Sequence, residues 1–423
     1  MEYRRRILDD ILDTEMADLP AIALEGAKGV GKTATASRRA ANILTLSDPR
    51  SRASVAANYD LVADLEPPVF IDEWQLEPQV WERVRRSVDD APYDGGRFLL
   101  AGSASLAPGV RIHSGAGRIV RMTMRPMSLA ERGLEEPTVP LRALHAGNPP
   151  ISGSTHLRVK DYVTEILRSG LPGIRDASER ARNRLLDSYL DRIVERELPD
   201  NGMPIRRPGT LLAWLRAYAA ATSSTTDYTK ILNAATAGEP LKPARATVDA
   251  YREHLTRLFI LDPVEAWTPV FAPLKRLTNS AKHHLVDPAL AARLVGVGAK
   301  GLLVGEGHVV APSTGTWLGA LFESLAVQSV RVYAEAMNAS IGHLRTKNGD
   351  HEVDIVVETD DRRIIAIEVK LADTVSDDDV SHLHWLRGQV GPLLTDAVVL
   401  NTGPYAYRRE DGIAVVPLAL LGP

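Results

Sequence analysis

A glycine-rich segment near the start of the chain has the spacing of residues that bind phosphate. It reads Gly26-x4-Gly31-Lys32-Thr33, and it follows an apolar run that begins at Ile22. Glycines let such a loop curl its backbone N–H groups around a di- or triphosphate, which side chains would obstruct. The lysine supplies positive charge to the β- and γ-phosphates, and the threonine hydroxyl can bind a Mg²⁺ ion that bridges them. The pattern therefore predicts a P-loop.

The position of this loop between a strand and a helix strengthens the prediction. The helix that follows would direct the positive end of its dipole towards the same phosphates. We expect the loop and the start of that helix to contact the nucleotide. The predicted phosphate-binding residues are Gly26, Ala27, Lys28, Gly29, Val30, Gly31, Lys32, Thr33 and Ala34.

A second apolar run begins at Val69 and ends in the carboxylates Asp72 and Glu73. This is the Walker B pattern of a buried strand with acidic residues at its end. Asp72 is predicted to hold Mg²⁺ through water, near the Thr33 hydroxyl, and Glu73 to polarise the water that attacks the γ-phosphate. Taken alone, the acidic pair would also fit an exposed strand end. The P-loop upstream favours the catalytic interpretation.

Arg118 directly follows Gly117 and is presented by a glycine-rich loop that begins at Gly115. An arginine in such a loop can stabilise transition-state charge, either within its own subunit or across a subunit interface. Arg118 is therefore a candidate catalytic residue and the basis for expecting a homo-oligomer. A surface arginine that caps the loop is the alternative.

Near the C-terminus, acidic residues and a lysine occur where two strands and a helix could bring them together. One alternating segment holds Asp354, a turn follows, and the return strand holds Glu368 and Lys370. Residues two apart project from the same face of a strand, and the hairpin partner can bring Asp354 alongside. Glu323 lies among apolar residues in a predicted helix upstream.

This set resembles the Asp…Glu-x-Lys centre of restriction-endonuclease-like nucleases, with Glu323 in the position of their helical acid. In such a centre the carboxylates Glu323, Asp354 and Glu368 would hold Mg²⁺ or Mn²⁺ on the scissile phosphate. Lys370 would position or deprotonate the attacking water. A solvated charged hairpin is one alternative, and a fold retained as a docking surface without cleavage is another.

Length and composition set limits on the rest of the chain. Its 423 residues are enough for two or three domains. Its 44% hydrophobic and 25% charged residues are ordinary for globular proteins, and a net charge of −4 leaves only local patches for nucleic-acid contacts. The absence of cysteine excludes disulfides, thiolate metal sites and cysteine nucleophiles. Apolar stretches are too short to span a bilayer, so we expect a cytoplasmic protein without a membrane partner.

The segment between the two chemical centres is predicted to be helical. Residues 226–235 and 243–255 have the look of a helix-turn-helix, and residues 258–261 would supply a wing strand. In a DNA-binding interpretation, several side chains of this module would meet the major groove or its phosphates. These residues are Arg245, Thr247, Tyr251 and Arg252. Packing or docking onto another protein is the alternative for such a module.

Residues 20–135 resemble the AAA-type ATPase module of a large family of bacterial and archaeal ATP-binding proteins. The features that carry the resemblance are, in chain order, the P-loop, Asp72-Glu73-Trp74-Gln75, Gly102-Ser103 and Gly117-Arg118. The resemblance implies that Ser103 is a polar sensor of the γ-phosphate, with a plain strand-end turn as the alternative. Ala27, Lys28 and Trp74 differ from the commoner residues at their positions, and none of these departures removes a catalytic group.

Members of this family carry a C-terminal region of helices, a winged-helix-like segment and a restriction-endonuclease-like fold, and the resemblance extends over nearly the whole chain. It implies an α/β fold with an AAA-type ATPase domain at 1–140, a helical and winged-helix-like region at 156–275, and a restriction-endonuclease-like domain at 276–423. The polar residues 138–155 are predicted to form a linker after the ATPase core.

Together these observations predict a Mg²⁺-dependent protein that binds and hydrolyses ATP and is coupled to a metal-dependent nuclease-like domain acting on DNA. The expected cofactors are ATP and Mg²⁺, with Mn²⁺ as an option at the nuclease-like centre. Two alternatives stay open. One is an ATP-dependent switch or docking protein whose nuclease-like domain is a binding surface, and the other is a remodeller of proteins.

Overall fold

The structure, a computed structural model, describes residues 3–92, 94–102, 115–238, 242–269, 277, 280–304 and 316–423. The N-terminal part of the chain forms one β-sheet and the C-terminal part forms another. The region between them is mostly helical. The predicted α/β fold class with a P-loop core is confirmed. Ser103, the candidate phosphate sensor, lies outside the described residues.

The N-terminal sheet consists of five short parallel strands. They are β1 (Ala21–Glu25), β2 (Asn42–Thr45), β3 (Val69–Asp72), β4 (Phe98–Ala101) and β5 (Val120–Thr123). Their order across the sheet is β2-β3-β4-β1-β5. All residues of β3 and β4 are buried, as expected for parallel strands that are covered on both faces. Since the carboxyl ends of parallel strands share one edge, the P-loop after β1 and Asp72 at the end of β3 lie at the same edge.

Helices accompany this sheet and make up the middle region. Those of the N-terminal region are α1 (Ile7–Glu15), α2 (Lys32–Ser37), α3 (Pro49–Ala57), α4 (Leu61–Asp64) and α5 (Gln79–Asp90). Those that follow are α6 (Leu141–Ala146), α7 (Val159–Arg168), α8 (Pro172–Arg175), α9 (Glu179–Arg192), α10 (Leu198–Asp200), α11 (Pro208–Ala220), α12 (Tyr228–Ala235), α13 (Arg245–Arg257), α14 (Pro288–Val295) and α15 (Ala299–Leu303). A π-helix at Ile193–Glu197 continues α9. Within the described ranges, no helix is both long enough and apolar enough to cross a bilayer.

The predicted wing strand does not form. Helices α12 and α13 occupy the places expected for the helix pair, but residues 258–261 turn back on the end of α13. The Ile260 N–H donates to the Leu255 carbonyl at 2.9 Å, which closes the helix. Leu261 pairs only through an isolated bridge to Leu285. The wing-strand prediction is wrong because this segment serves the packing of α13 and not a strand pair.

Of the side chains named in the DNA-binding interpretation, one is buried and another contacts an aromatic ring. Tyr251 is buried, and its ring centroid lies 6.2 Å from that of Trp214. The Arg252 guanidinium lies 3.6 Å from the ring centroid of Tyr228, where it can make a cation–π contact. Tyr251 therefore belongs to the core, whereas Arg252 is partly exposed and Arg245 is exposed.

The C-terminal sheet has seven strands of mixed direction, in the order β7-β12-β13-β11-β10-β9-β8. The strands of this part of the fold are β6 (Val139–Pro140), β7 (Gly153–Ser154), β8 (Ser340–Arg345), β9 (Glu352–Glu358), β10 (Ile364–Val369), β11 (Leu394–Asn401), β12 (Tyr405–Arg408), β13 (Ala414–Pro417) and β14 (Leu421–Gly422). Its helices are α16 (Trp317–Glu335) and α17 (Asp377–Val390). Antiparallel pairing of β9 with β10 confirms the predicted hairpin.

The segment predicted to be a linker is part of the C-terminal fold. Strand β7 pairs with β12 at the edge of the large sheet, and β6 pairs with β14. The Thr138 N–H donates to the Leu420 carbonyl at 3.0 Å, and the Thr155 N–H donates to the Pro404 carbonyl at 2.8 Å. The apolar side chains of Leu141 and Leu144 are buried. Backbone pairing and burial thus override the polar composition that predicted a linker.

Helix α16 ties the N-terminal and C-terminal parts together. The Arg132 guanidinium, fully buried, donates to the Gln328 side chain at 3.1 Å and to Glu165 at 3.2 Å. The Ser329 hydroxyl accepts a hydrogen bond from the Leu129 N–H at 3.1 Å. Apolar residues from one face of each sheet join the middle helices in one continuous core.

Candidate nucleotide-binding site and C-terminal charged centre

The P-loop lies between β1 and α2, as the sequence predicts. Gly26 has φ 145° and Gly31 has φ 112°, both in the region that favours glycine. A Cβ on Gly26 would lie 2.1 Å from the Met124 carbonyl oxygen, so no larger residue fits there without a backbone shift. Helix α2 begins at Lys32, directly after Gly31, and its N-terminal N–H groups face the loop. The segment has the shape of an anion-binding site.

The Lys32 ammonium is held by the loop itself. Its Nζ donates to the carbonyl oxygens of Gly26 at 2.7 Å and Ala27 at 3.0 Å. Burial lowers the pKa of Lys32 to about 8. The charge is thus placed across the mouth of the loop, where the phosphates of a nucleotide would be the stronger acceptors.

Thr33 and Asp72 meet across the edge of the sheet. The Thr33 hydroxyl donates to the Asp72 carboxylate, with distances of 3.1 and 3.2 Å to the two oxygens. Burial raises the pKa of Asp72. A hydroxyl and a carboxylate supply the hard oxygen ligands that Mg²⁺ prefers, so these residues fit the ion next to the phosphates.

Glu73 is held in an uncommon backbone conformation. Its φ of 54° and ψ of 43° fall in the left-handed region, which costs free energy for a residue other than glycine. The Gln75 side-chain amide donates a hydrogen bond to the Glu73 carboxylate. The Gln75 Oε1 atom is buried without a hydrogen-bond partner among the described residues, and a Cβ on Gly102 would lie 2.6 Å from it. The sequence pattern contains Gln75, but only the structure shows that it positions Glu73.

A cavity of about 380 Å³ opens beside the P-loop and α2. Its lining includes Tyr3, Gly31, Thr35, Met124 and Pro172. The Tyr3 hydroxyl lies 2.9 Å from the Thr35 hydroxyl and donates to Asp9 at 2.6 Å, which fixes the N-terminal segment over α2. Ligand pockets for small molecules commonly have this size and a largely apolar lining. Sequence reasoning missed the cavity because its walls come from distant segments.

Lys28 connects the P-loop to the middle region. Its Nζ lies 2.6 Å from a carboxylate oxygen of Glu197, on the π-helix after α9. The Tyr189 hydroxyl donates to the Lys28 carbonyl oxygen at 3.2 Å. Lys28 is an unusual residue for its position within the phosphate-binding loop. The structure shows a direct link between that loop and the helices.

Arg118 points to α5. Its Nε donates to an Asp89 carboxylate oxygen at 2.5 Å, and its Nη1 to the Ala116 carbonyl at 3.2 Å. Among the described residues, no hydrogen bond or ion pair joins Arg118 to the P-loop. A role within its own site gains no support from this arrangement, and a role in a neighbouring subunit stays a prediction.

The predicted C-terminal residues do come together. Lys370, directly after β10, has its Nζ 3.4 Å from a Glu368 carboxylate oxygen. Asp354 on β9 accepts a hydrogen bond from the Val369 N–H at 2.9 Å. Glu323, on α16, reaches the same place through its contact with Lys282.

A residue that sequence analysis did not consider lies at the middle of this centre. The Lys282 Nζ is 3.0 Å from Glu323, 2.8 Å from Glu352 and 2.7 Å from Asp354. Its side chain is 1% exposed. The sequence around Lys282 carries no spacing that would have revealed this contact, which exists only through the fold.

Burial and the two lysines together set the protonation of this centre. Burial raises the pKa of Glu323 to about 8 and that of Glu368 well above its usual value. Burial opposes the charge of Lys282, but the surrounding carboxylates outweigh it and raise the pKa of Lys282 well above its usual value. Burial also disfavours the charge of Asp354, yet Lys282 lowers the pKa of Asp354 on balance. An ammonium, and not a set of free carboxylates, organises the site.

The arrangement does not fit the predicted metal site. Within the described ranges, no group of three or more His, Cys, Asp or Glu side chains is disposed to hold a metal ion. The expected ligands Glu323 and Asp354 are turned towards Lys282, and Glu368 pairs with Lys370. A protonated lysine occupies the space between two of the predicted ligands, so the arrangement gives no support to Mg²⁺ or Mn²⁺ binding, which stays a prediction.

Comparison with protein families covers three separate stretches of the chain. Residues 18–132 match the model of the AAA domain. This match, together with the P-loop geometry, supports ATP binding and ATP hydrolysis by the AAA domain. Residues 159–301 match a domain of unknown function (DUF8612), and residues 318–421 match another (DUF4143). A search of curated proteins finds no match.

Solved structures with related shapes show weak similarity. A Walker-type ATPase of Pyrococcus abyssi is 14% identical over 68% of this chain and 93% of its own, with a TM-score of 0.38. A point mutant of Thermotoga maritima RuvB is 16% identical over 60% of this chain and 86% of its own, with a TM-score of 0.24. Both TM-scores are below 0.5, so the fold assignment rests on the strand order and the P-loop described above.

Proposed function

We propose that the protein is an ATP-dependent switch, in which the AAA domain hydrolyses ATP and the helical region responds to the nucleotide. The observation that carries the ATPase part is the convergence of Lys32, the Thr33–Asp72 pair and Glu73 at one edge of the parallel sheet. These are the groups that phosphoryl transfer requires for binding, charge neutralisation and orientation of water.

Each group has a separate task in this proposal. Lys32 donates to the β- and γ-phosphate oxygens in place of its loop carbonyls. Thr33 and Asp72 would hold Mg²⁺, which neutralises phosphate charge when it is bound. Glu73, positioned by Gln75, accepts a hydrogen bond from the attacking water and turns its lone pair towards the γ-phosphate. The cavity lined by Tyr3, Met124 and Pro172 is proposed to take the nucleoside.

The coupling of nucleotide to movement is proposed to run through Lys28. Its ammonium is paired with Glu197. A γ-phosphate next to the loop would compete for this ammonium, since phosphate is a stronger acceptor than a solvated carboxylate partner. Loss of the Lys28–Glu197 pair would release the π-helix, and hydrolysis would restore it.

The ATPase assignment is tested by steady-state turnover of the full chain with Mg²⁺. We expect Lys32→Ala to abolish turnover and weaken nucleotide binding, and Glu73→Gln to retain bound ATP without hydrolysing it. Glu66→Gln, which changes an exposed carboxylate of the same domain, is the matched control and should behave like the native chain. Native turnover by Glu73→Gln would contradict the role of Glu73.

A second candidate function, metal-dependent cleavage of DNA, is favoured by one observation. Asp354, Glu368 and Lys370 lie together, and Glu323 reaches the same centre. Lys282 opposes this function because its ammonium stands among the carboxylates. The test is incubation of the full chain with supercoiled plasmid and Mn²⁺, with and without ATP. Nicking that is lost in Lys370→Ala would support cleavage, and intact plasmid in all conditions would favour the switch with a C-terminal docking surface.

A further inference from the structure

The most unusual charged group outside the ATPase site is the buried ammonium of Lys282. Three carboxylates surround its Nζ at 2.7 to 3.0 Å. An ammonium has three N–H donors and no acceptor. Lys282 donates to Glu323 and Asp354, and it forms an ion pair with Glu352. Burying an unpaired ion is strongly unfavourable, which is why the carboxylates and the lysine must be regarded as one unit.

The backbone fixes the position of this lysine. The Lys282 N–H donates to the Val264 carbonyl at 2.9 Å, and the Val264 N–H donates to the Lys282 carbonyl at 3.0 Å. The two residues thus form a small antiparallel bridge beside the C-terminal sheet. Lys282 therefore reaches the centre from a paired backbone, as a built part of the fold.

The acidic side chains around Lys282 come from different elements, and an oxygen of each lies next to the Lys282 Nζ. Glu323 comes from α16, and Glu352 and Asp354 come from alternate positions of β9. Oxygens from several rigid elements around one cation are the usual environment of a divalent metal ion. Here the cation at their meeting point is an ammonium.

A second observation shows that Lys282 does not satisfy every acidic oxygen of the centre. The Glu368 side chain is 3% exposed, and its Oε1 has no hydrogen-bond partner in the described part of the chain. Its other oxygen lies 3.4 Å from the Lys370 Nζ, at the same centre. A buried carboxylate oxygen without a partner is costly, and it is available as a metal ligand once the Lys282 ammonium is removed.

We propose that Lys282 is a built-in cation that takes the place of a divalent metal ion, so that the C-terminal centre is a closed metal site. The native chain then binds neither Mg²⁺ nor Mn²⁺ at Glu323, Asp354 and Glu368. Removal of the ammonium opens the site to a divalent ion. The inference rests on the geometry of the centre. It is independent of ATP hydrolysis, and it excludes metal-dependent DNA cleavage at this centre in the native chain.

The first experiment measures Mn²⁺ binding to the full nucleotide-free chain by electron paramagnetic resonance of free Mn²⁺. Native protein and Asp354→Asn should bind the same amount, because the native centre holds no metal. Lys282→Met, which keeps much of the side-chain volume without the charge, should bind about one more Mn²⁺ per chain. Adding Asp354→Asn to Lys282→Met should remove that gain. Lys300→Met, at an exposed lysine, is the control and should match the native chain.

The second experiment follows thermal unfolding, because Lys282→Met leaves buried carboxylates unpaired and should lower the melting temperature. About 1 mM Mn²⁺ should restore part of that loss in Lys282→Met and none in the double variant. Extra Mn²⁺ bound by the native chain relative to Asp354→Asn would overturn the proposal. It would also be overturned if Lys282→Met gained no Mn²⁺, or failed to fold both with and without the ion. Mn²⁺-dependent plasmid nicking by the native chain that is lost in Asp354→Asn would also overturn the proposal.

Discussion

Lys32 shows how a single residue can be prepared for a ligand before the ligand arrives. Its ammonium is buried, and two loop carbonyls hold it where phosphate oxygens would lie. Those carbonyls are weaker partners than a charged phosphate, so nucleotide binding replaces them without moving the lysine far. This arrangement costs free energy, because burial makes the charged form of Lys32 less stable.

This cost predicts a pH dependence of ATP affinity. Burial lowers the pKa of Lys32 to about 8 in the free protein, and bound phosphates favour the charged form. Affinity should therefore be independent of Lys32 below about pH 8. Above that pH the free lysine must first gain a proton, so affinity should fall by up to about tenfold per pH unit. Titration calorimetry with ATP at increasing pH measures this directly.

Lys32→Arg provides the control for that titration. A guanidinium stays charged over the whole range, so any binding that the variant retains should lack the inflection. An inflection of the same size in the variant would mean that another group causes it.

Gln75 is a positioning residue, and its effect should appear in kcat. Without the Gln75 amide, the Glu73 carboxylate loses the donor that orients it from a left-handed backbone. We expect Gln75→Ala to lower kcat for ATP about tenfold to a hundredfold while KM changes little. Gln79→Ala, at an exposed position shortly after it, should have native kinetics. A change in KM alone would show that Gln75 serves binding.

At the scale of elements, the link between the P-loop and the π-helix sets how nucleotide binding is transmitted. Lys28 and Glu197 are partly solvated, so the pair contributes at most about 1 kcal/mol. A weak link of this kind is suited to exchange, because a phosphate can outcompete it. The neighbouring hydrogen bond from the Tyr189 hydroxyl, on α9, to the Lys28 carbonyl oxygen also joins the P-loop to this helix.

Breaking that link should tighten ATP binding. In Glu197→Gln the Lys28 ammonium no longer has to leave a carboxylate before it meets phosphate, and affinity should rise about two- to fivefold. Glu195→Gln, at an exposed residue of the same π-helix, should leave affinity unchanged. If Glu197→Gln bound ATP more weakly than the native chain, Lys28 would not be the point of exchange.

The elements also show what sequence alone can predict. The P-loop and the β9–β10 hairpin follow from local spacing, because glycine positions, alternation and a turn specify them within a few residues. The short strands β6 and β7 could not be predicted, since partners far along the chain determine them and their own composition is that of a linker. Tyr251 was placed among the DNA contacts of one interpretation, although it is buried. Where apolar and polar residues alternate irregularly along a helix, the sequence does not distinguish the exposed face from the buried face.

Candidate site residues divide in the same way. Asp354, Glu368 and Lys370 were found because their spacing on a hairpin is visible in sequence. Lys282 was missed because it meets the carboxylates only after α16, β9 and the residue-264 bridge have packed together. No pattern in one sequence reports a contact of that kind.

For the molecule as a whole, the position of Arg118 bears on assembly. It is 40% exposed and paired with Asp89, away from the P-loop of its own chain. An arginine that completes the site of a neighbour would make ATP turnover depend on protein concentration. We expect specific activity to fall on dilution and Arg118→Ala to lose that dependence. A flat dilution series in a protein that stays monomeric with ATP would remove this role.

The edge strand β7 has a consequence for how the chain is synthesised. It precedes the whole helical region, yet its partner β12 is synthesised after that region and after strands β8 to β11. Ribosomes add roughly 5–20 residues per second, so residues 153 and 154 wait for roughly ten seconds or longer before their partner exists. During this interval the C-terminal sheet cannot close, whereas the parallel sheet of the AAA domain is already complete. Nascent chains should therefore present a folded ATPase beside an unpaired strand, a state that favours capture by chaperones that bind exposed edges.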